Sequence, residues 1–281
     1  QYDSLILATG YRSFVPPIKG IDKEGVFPLY TMEEGKKIQE AMKKTASAAI
    51  IGSGLIGLET AIAFIEHGIK TTVIEMLPYI MPRVLDQDMA QDVQEKLEQK
   101  GIEFIVGKPA EAITGEKSIR GVSVAGKEIP ADIVINAAGV QPNIDLAQKA
   151  GIAIGETGGI KTDIRMQTSA KDVYAVGDCA ETIHMITHKP IRPALGTAAV
   201  RQGKIAGINA AGGYALYPGT LCSAVSQLSD IEVGATGLTE FFASRFGIEV
   251  VVGKMSGHTK ATYYPGALPI KVKLIVERET K

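Results

Sequence analysis

The sequence predicts an α/β fold, and three observations carry that prediction. A small apolar run, Ala48–Ile51, leads straight into a glycine turn, Gly52-Ser53-Gly54-Leu55-Ile56-Gly57, and a helical segment follows. A further short run at Ser4–Ala8 is continuously apolar, as a buried parallel strand should be, and Asp132–Asn136 predicts another buried strand. From Leu221 onward the pattern becomes antiparallel, with short strands and one short helix.

The glycine turn and its surroundings are the most informative stretch. Ala48–Ile51 predicts a strand, Leu55–Glu66 a helix stopped at Gly68, and Thr71–Ile74 a second strand that ends on Glu75. This is the grammar of a dinucleotide-binding βαβ unit. Gly52 permits the tight turn, Gly54 lets the backbone approach a pyrophosphate, and Gly57 lets helix and strand pack closely. The helix start at Leu55 and Ile56 supplies N–H donors and a partial positive charge for phosphates. Glu75 follows the glycines by about 20 residues, where an acid accepts hydrogen bonds from a ribose 2′-OH. Such an acid favours NADH over NADPH, because a carboxylate repels a 2′-phosphate; a solvated strand end is the competing reading. Glu59 also has two readings: a favourable helix-dipole contact, or a carboxylate near the reacting end of the cofactor.

The remaining elements follow in order. Thr31 caps a predicted helix over Thr31–Lys44, with Glu33 and Glu34 in its first turn. Asp86 caps another, in which Met89, Val93 and Leu97 share a face and Gly101 is the stop. Ile102–Val106 is a strand, and Ser118–Val124 pairs with Lys127–Ile129 across Ala125-Gly126. The strand at Asp132–Asn136 ends in a loop containing Gly139, at the carboxyl end of a strand where open α/β sheets bind ligands. A short helix near Asp145–Ala150 precedes a hairpin through Gly158-Gly159. A further strand ends in Gly177-Asp178, which can offer an N–H and a carboxylate to a polyol. Cys179 beside it is an inert buried thiol or a nucleophile. Pro193–Ala211, rich in alanine and glycine, predicts a helix packed on something flat. Strands at Ile231–Thr236 and Ile248–Val252 flank a helix at Thr239–Phe246. In the last strand Ile270, Val272, Leu274 and Val276 alternate with Lys271, Lys273 and Glu277, as in a half-buried association sheet.

Composition excludes several classes. The 281 residues suffice for roughly two domains. A net charge of −1 gives no electrostatic case for nucleic acid or an anionic membrane surface. No apolar run approaches the ~18 residues that would span a bilayer. The two cysteines, Cys179 and Cys222, and the four histidines have no metal-ligand spacing, so no metal site is expected. A cytoplasmic, reducing location is the default.

Four motifs occur in a fixed order: ATG at Ala8–Gly10, GSGLIGLE at Gly52–Glu59, AAGVQPN at Ala137–Asn143 and YAVGDCAE at Tyr174–Glu181. In that order they resemble the FAD-dependent pyridine nucleotide-disulfide oxidoreductases. The later stretches RPALGTAAVRQGKIAG and YYPGALPIKVKLIVERET resemble the branch of NADH oxidases and coenzyme A-disulfide reductases. The resemblance spans essentially the whole chain. It implies a Rossmann-like NAD domain (residues 21–142) inserted in a split FAD domain (residues 1–20 and 143–216), followed by part of an α+β antiparallel interface domain (residues 217–281).

The resemblance also implies roles. Thr9 and Gly10 pass close to FAD, Gly177 lies beside its pyrophosphate, Asp178 holds its ribityl chain, and Ala194 and Leu195 approach the flavin ring. Glu59 faces the nicotinamide, Gly139 lines the NAD cleft, and Leu55 stands where the family often has a gating tyrosine. Tyr263 or Tyr264 reaches a partner subunit's thiol site, or else packs an interface. FAD and NADH are the expected cofactors, a small molecule the electron acceptor, and a homodimer the expected assembly. The implied activity passes hydride from NADH to FAD and on to a disulfide such as coenzyme A disulfide, to oxygen or to peroxide. The first FAD βαβ unit, the redox cysteine and the end of the interface domain are expected outside this sequence. A nucleotide-binding fragment that binds NAD(H) without turnover is therefore the alternative expectation.

Overall fold

The computed structural model describes residues 2–279. In chain order the strands and helices open with β1 (Leu5–Leu7), β2 (Tyr11–Ser13), β3 (Val26–Pro28), α1 (Met32–Met42), β4 (Ser47–Ile51), α2 (Leu55–Glu66) and β5 (Lys70–Ile74). They continue with α3 (Gln87–Gln99), β6 (Ile102–Ile105), β7 (Ala110–Thr114), β8 (Gly121–Val124), β9 (Lys127–Pro130), β10 (Ile133–Asn136), β11 (Val140–Pro142) and α4 (Asp145–Lys149). Next come β12 (Ile160–Lys161), β13 (Val173–Ala175), a 3₁₀ turn at Gly177–Cys179, β14 (Ala180–Ile183), β15 (Pro190–Ile191) and α5 (Gly196–Ala210). The chain finishes with β16 (Ala224–Leu228), β17 (Ile231–Ala235), α6 (Glu240–Arg245), β18 (Val250–His258) and β19 (Pro269–Glu277).

The central sheet is parallel, in the order β3-β10-β4-β5-β6. Its middle strands are buried because both faces are covered, and Ala49, Ile50, Val73, Val134 and Ile135 are fully buried. Helix α2 is apolar on most sides and buries Leu58, Ala61 and Phe64 against this sheet. Helix α1 begins with a capping box, Thr31 accepting from the Glu34 amide and Glu34 accepting from that of Thr31. A three-stranded antiparallel sheet, β7-β8-β9, covers the other face, Ile113, Val122 and Val124 packing on Ala49 and Val134. Strand β7 was not among the sequence expectations, because Ala110–Thr114 contains Glu111 and lacks a clean alternation.

The chain enters and leaves this unit side by side. β2 and β11 pair antiparallel, and Asn143 ties them by accepting from Arg12 and donating from Nδ2 to the Thr9 carbonyl at 2.9 Å. Outside the insertion, β1 pairs in parallel with β13, far along the chain, and helix α5 packs on both strands. A separate core of Leu7, Ile160, Met166, Val173, Ala175 and Ala206 fills this second unit.

The C-terminal segment has two antiparallel hairpins, β16–β17 and β18–β19, with α6 between them. The first docks on α2, where Leu228 and Val233 join the core of the central sheet. The second turns its lysine face inward. Lys271 pairs with Asp92 and Lys273 with Asp86 and Asp88, all at or just before α3, whereas Ile270, Val272 and Leu274 stay exposed on the opposite face. The alternation expected in the last strand is present, and the acidic start of α3 decides which face the chain itself covers.

Asp86 does not cap α3 as expected. It occupies the N-cap position, but its carboxylate makes no bond to α3 and instead accepts from the Glu240 and Phe241 amides at 3.0 and 3.2 Å. The unpaired N–H groups of α6 and the neighbouring Lys273 are the stronger draw for that charge.

Candidate functional site

The glycine turn forms the cradle that the sequence predicts. Gly52 has φ +106°, and a Cβ at Gly57 would lie 2.1 Å from the Gly52 carbonyl oxygen, so helix and turn can only meet this closely without a side chain. A Cβ at Gly54 would meet open space. Gly54 is the N-cap of α2 and supplies no side-chain cap, so the N–H groups of Leu55 and Ile56 face outward from the helix start. A diphosphate fits here, held by helix-terminal donors and dipole. Gly139, with φ +128° and open space beside its Cα, closes the turn after β10 on the same edge of the sheet.

Glu75 is buried at the end of β5, and its carboxylate is held at both oxygens. Oε2 accepts from the Ser53 amide at 3.0 Å and the Ser53 hydroxyl at 2.7 Å; Oε1 accepts from the Leu77 amide at 2.9 Å. It is not a solvated strand end. Glu59 lies in the second turn of α2, beyond the reach of the helix-terminal dipole, so the helix-dipole reading does not hold. Its exposed carboxylate accepts instead from the Ser226 hydroxyl of β16.

A second group of predicted residues converges across the β1–β13 pair. Thr9 and Gly10 follow β1, and the Gly177-Asp178 turn follows β13 directly. Gly177 has φ +74°, and its N–H is taken by Gln202 Oε1 of α5 at 2.7 Å. That amide is therefore spent inside the protein, and the chemistry offered at this turn is the Asp178 carboxylate. Burial pushes the Asp178 carboxyl above the ordinary range, and the Arg192 guanidinium partly offsets this. Burial also raises the Tyr11 hydroxyl, with Asp178 and Tyr30 adding to it, and the Tyr11 and Tyr30 rings lie 4.4 Å apart.

Arg192 is the residue that sequence reasoning missed here. Its Nε and Nη1 are buried and make no hydrogen bond within the described residues, and it lines a cavity of about 320 Å³ with Phe14, Val140 and Pro142. Nη2 donates to the Val140 carbonyl at 3.4 Å, so the guanidinium is only partly satisfied. With the desolvated Asp178 carboxylate within its electrostatic range, it fits a cofactor carrying both hydroxyl and phosphate groups. Nothing in its neighbours Ile191 and Pro193 signals this, because the fold alone brings Asp178 within electrostatic range. Ala194 has a left-handed φ of +45° and leads through Leu195 into α5, whose start also lacks a side-chain cap.

Tyr263 and Tyr264 lie together in the loop between β18 and β19, their rings 4.9 Å apart and facing solvent. They are not brought to either cluster within this chain. Cys179 is fully buried and donates to the Val176 carbonyl, as an inert structural thiol does. No group of three or more histidine, cysteine or acidic side chains that could hold a metal occurs among the described residues, and no helix among them is long and apolar enough to cross a membrane.

A glycine cradle with a held acid, inserted into a second α/β unit with its own strand-end Gly-Asp turn, defines a protein built for two nucleotide cofactors. The model of the pyridine nucleotide-disulphide oxidoreductase family matches residues 1–203, and the chain belongs to that family. It is 45% identical to an NADH oxidase of Methanocaldococcus jannaschii, over 100% of this chain and 63% of that protein. It is 38% identical to a CoA-dependent NAD(P)H sulfur oxidoreductase of Pyrococcus furiosus, over 100% of this chain and 64% of that one. The solved structure of an NAD-dependent persulfide reductase from A. fulgidus superposes with a TM-score of 0.97 at 40% identity, covering 99% of this chain and 52% of the other. The chain thus spans less than two thirds of the length of these relatives.

Proposed function

We propose that the protein is an NADH-dependent flavoprotein oxidoreductase, in which electrons pass from NADH through FAD to a small acceptor: a disulfide such as coenzyme A disulfide, oxygen or peroxide. The observation that carries the reading is the doubled site, a Gly52–Gly57 cradle with Glu75 at one strand end and the Gly177-Asp178 turn at another. The relatives named as NADH oxidase and sulfur oxidoreductase support the acceptor class.

Flavin, when bound, supplies the hydride-accepting and electron-passing chemistry, and the chain's residues bind and orient. In this reading residues 21–142 hold NADH, with the Leu55 and Ile56 amides on the diphosphate, Glu75 on the adenosine ribose and Gly139 lining the cleft. Glu59, steadied by Ser226, borders the nicotinamide end, and Leu55 leaves the cleft without a tyrosine gate. Residues 1–20 and 143–216 carry the flavin side: Thr9 and Gly10 at close approach, Gly177 shaping the turn, Asp178 on the ribityl hydroxyls, and Ala194 and Leu195 at the ring. Residues 217–281 form the association segment, and the exposed Ile270-Val272-Leu274 face supports a homodimer. Tyr263 and Tyr264, exposed on their loop, are the side chains such a partner would receive. A cytoplasmic setting suits two free cysteines.

The test is an anaerobic titration of the full-length protein with NADH. Bleaching of flavin absorbance supports the reading; flavin-free protein, or flavin that NADH leaves oxidised, overturns it. The partial span of the relatives favours a second reading for this chain by itself, NAD(H) binding without turnover. Steady NADH oxidation by residues 1–281 alone would exclude that.

A further inference from the structure

We propose that Ser53 is a specificity-positioning residue: its hydroxyl locks Glu75 in the orientation that makes the nucleotide site prefer NADH to NADPH. The proposal rests on the reading that Glu75 meets the adenosine ribose. It goes beyond that reading by assigning the preference to a second residue that need not touch the cofactor.

Ser53 is the residue between the first two glycines of the turn. Here its side chain is fully buried, and both its amide and its hydroxyl donate to the same carboxylate oxygen of Glu75, at 3.0 and 2.7 Å. The other oxygen accepts the Leu77 amide at 2.9 Å. The backbone around the acid is pinned as well. The Glu75 amide donates to the Ile105 carbonyl at 2.8 Å, and the Ser53 carbonyl accepts from the Met81 amide at 3.2 Å. A carboxylate offers about four acceptor sites. Three are filled by the protein, which leaves about one for a ribose hydroxyl and none for the carboxylate to gain by rotating.

That lock bears on discrimination. An unrestrained glutamate can swing its charge away when a 2′-phosphate arrives, so repulsion alone discriminates weakly. A glutamate held by three donors cannot leave without stranding the buried hydroxyl and the buried amide of Ser53. The acid therefore stays, and the 2′-phosphate meets its full charge. Removing the Ser53 hydroxyl leaves the two amide bonds but releases the shortest of the three contacts.

The experiment measures the dissociation constants of NAD⁺ and NADP⁺, which carry the same adenosine ends as NADH and NADPH but cannot reduce the flavin. Isothermal titration calorimetry is run on the full-length holoenzyme for wild type, Ser53→Ala, Ser53→Thr and Glu75→Ala, and the ratio of the two constants reads the NADH-over-NADPH preference. Ser53→Ala is expected to shrink the NADH-over-NADPH preference by roughly tenfold, the low end of what one hydrogen bond to a charged group contributes. Ser53→Thr, which keeps the hydroxyl, is expected to restore it. Loss of affinity for both nucleotides in equal proportion would mean that Ser53 only shapes the turn, and the proposal fails. Failure of the underlying reading looks different, because Glu75→Ala would then leave the preference unchanged. If Ser53→Ala does not fold, Glu75→Asp serves instead, since the shorter acid cannot span the Ser53 and Leu77 donors together. An unchanged preference in Glu75→Asp alongside a collapsed one in Glu75→Ala refutes the lock.

Discussion

Replacing Lys273 with methionine removes the cation that β19 inserts among three carboxylates. Methionine keeps the apolar stem and close to its volume, so the loss is confined to the ammonium group. Lys273 Nζ lies 2.9 Å from Asp86, 3.0 Å from Asp88 and 2.6 Å from Glu240, and its side chain is only 7% exposed. Burial alone would lower its pKa, but Glu240, Asp86 and Asp88 together raise it well above the ordinary lysine range. Taking one partner from a buried ion set costs about 3–5 kcal/mol, because charge is left uncompensated. The remaining carboxylates are not wholly abandoned. Asp86 keeps the Glu240 and Phe241 amides, Asp88 keeps Lys254, and Glu240 reaches solvent. The lower end, about 3 kcal/mol, is therefore expected, corresponding to a fall in Tm of roughly 6–12 °C for a chain of this size. Differential scanning calorimetry reads the global effect, and amide exchange at Glu240 and Phe241 reads local release of α6. A Tm within about 2 °C of wild type, with those amides still protected, would refute the argument and reduce the cluster to surface decoration.

The same cluster should be acid-labile. Burial pushes Asp88 up, but Lys254 and Lys273 outweigh it and hold its pKa at about 2, below the usual carboxylate range. A depressed folded pKa means the stabilisation is complete above the unfolded value near 4 and fades as pH falls toward 2. Urea midpoints measured between pH 5 and 2.5 should thus drop more steeply in wild type than in Asp88→Asn. Gly57→Ala forces a Cβ to within 2.1 Å of the Gly52 carbonyl oxygen. A cost of about 1–3 kcal/mol carried by the binding-competent turn should weaken NAD⁺ affinity by roughly 5- to 150-fold, read by isothermal titration calorimetry. Asp178→Asn should act in opposite directions on stability and binding. Burial raises the Asp178 pKa, so the ionised form costs stability above that pKa. The neutral amide should raise the melting temperature of the cofactor-free protein near neutral pH and reduce retained flavin, read by absorbance after gel filtration.

Much of the fold was legible because local rules and tertiary environment agree. The strand at β4, the helix α2 with limits Leu55 and Glu66, and the glycine stops at Gly68 and Gly101 follow from periodicity and from backbone angles only glycine adopts comfortably. The capping box at Thr31–Glu34 is likewise local. Strand β7 was not, since an edge strand of a small sheet carries little apolar signal. The cradle was readable because its glycines, its acid and their spacing occur within one βαβ unit. The second site was readable only as an unexplained Gly177-Asp178 turn until the family resemblance gave it a partner.

By itself, then, the sequence determined the βαβ unit, its glycine cradle, the acid at Glu75 and the alternation of the last strand. Each depends on residues close in the chain, where spacing translates directly into geometry. Tertiary structure alone decided which way charges were spent. Asp86 turned from its own helix to that of Glu240, Gly177 gave its N–H to Gln202, Arg192 gave an N–H to the Val140 carbonyl, and Glu75 was locked by Ser53. Hydrogen-bond donors and charges take whichever partner packing brings within about 3 Å. That partner lies 22 residues away for Glu75 and 154 for Asp86, beyond the span over which helix or strand periodicity carries information, so no local pattern in the sequence records it.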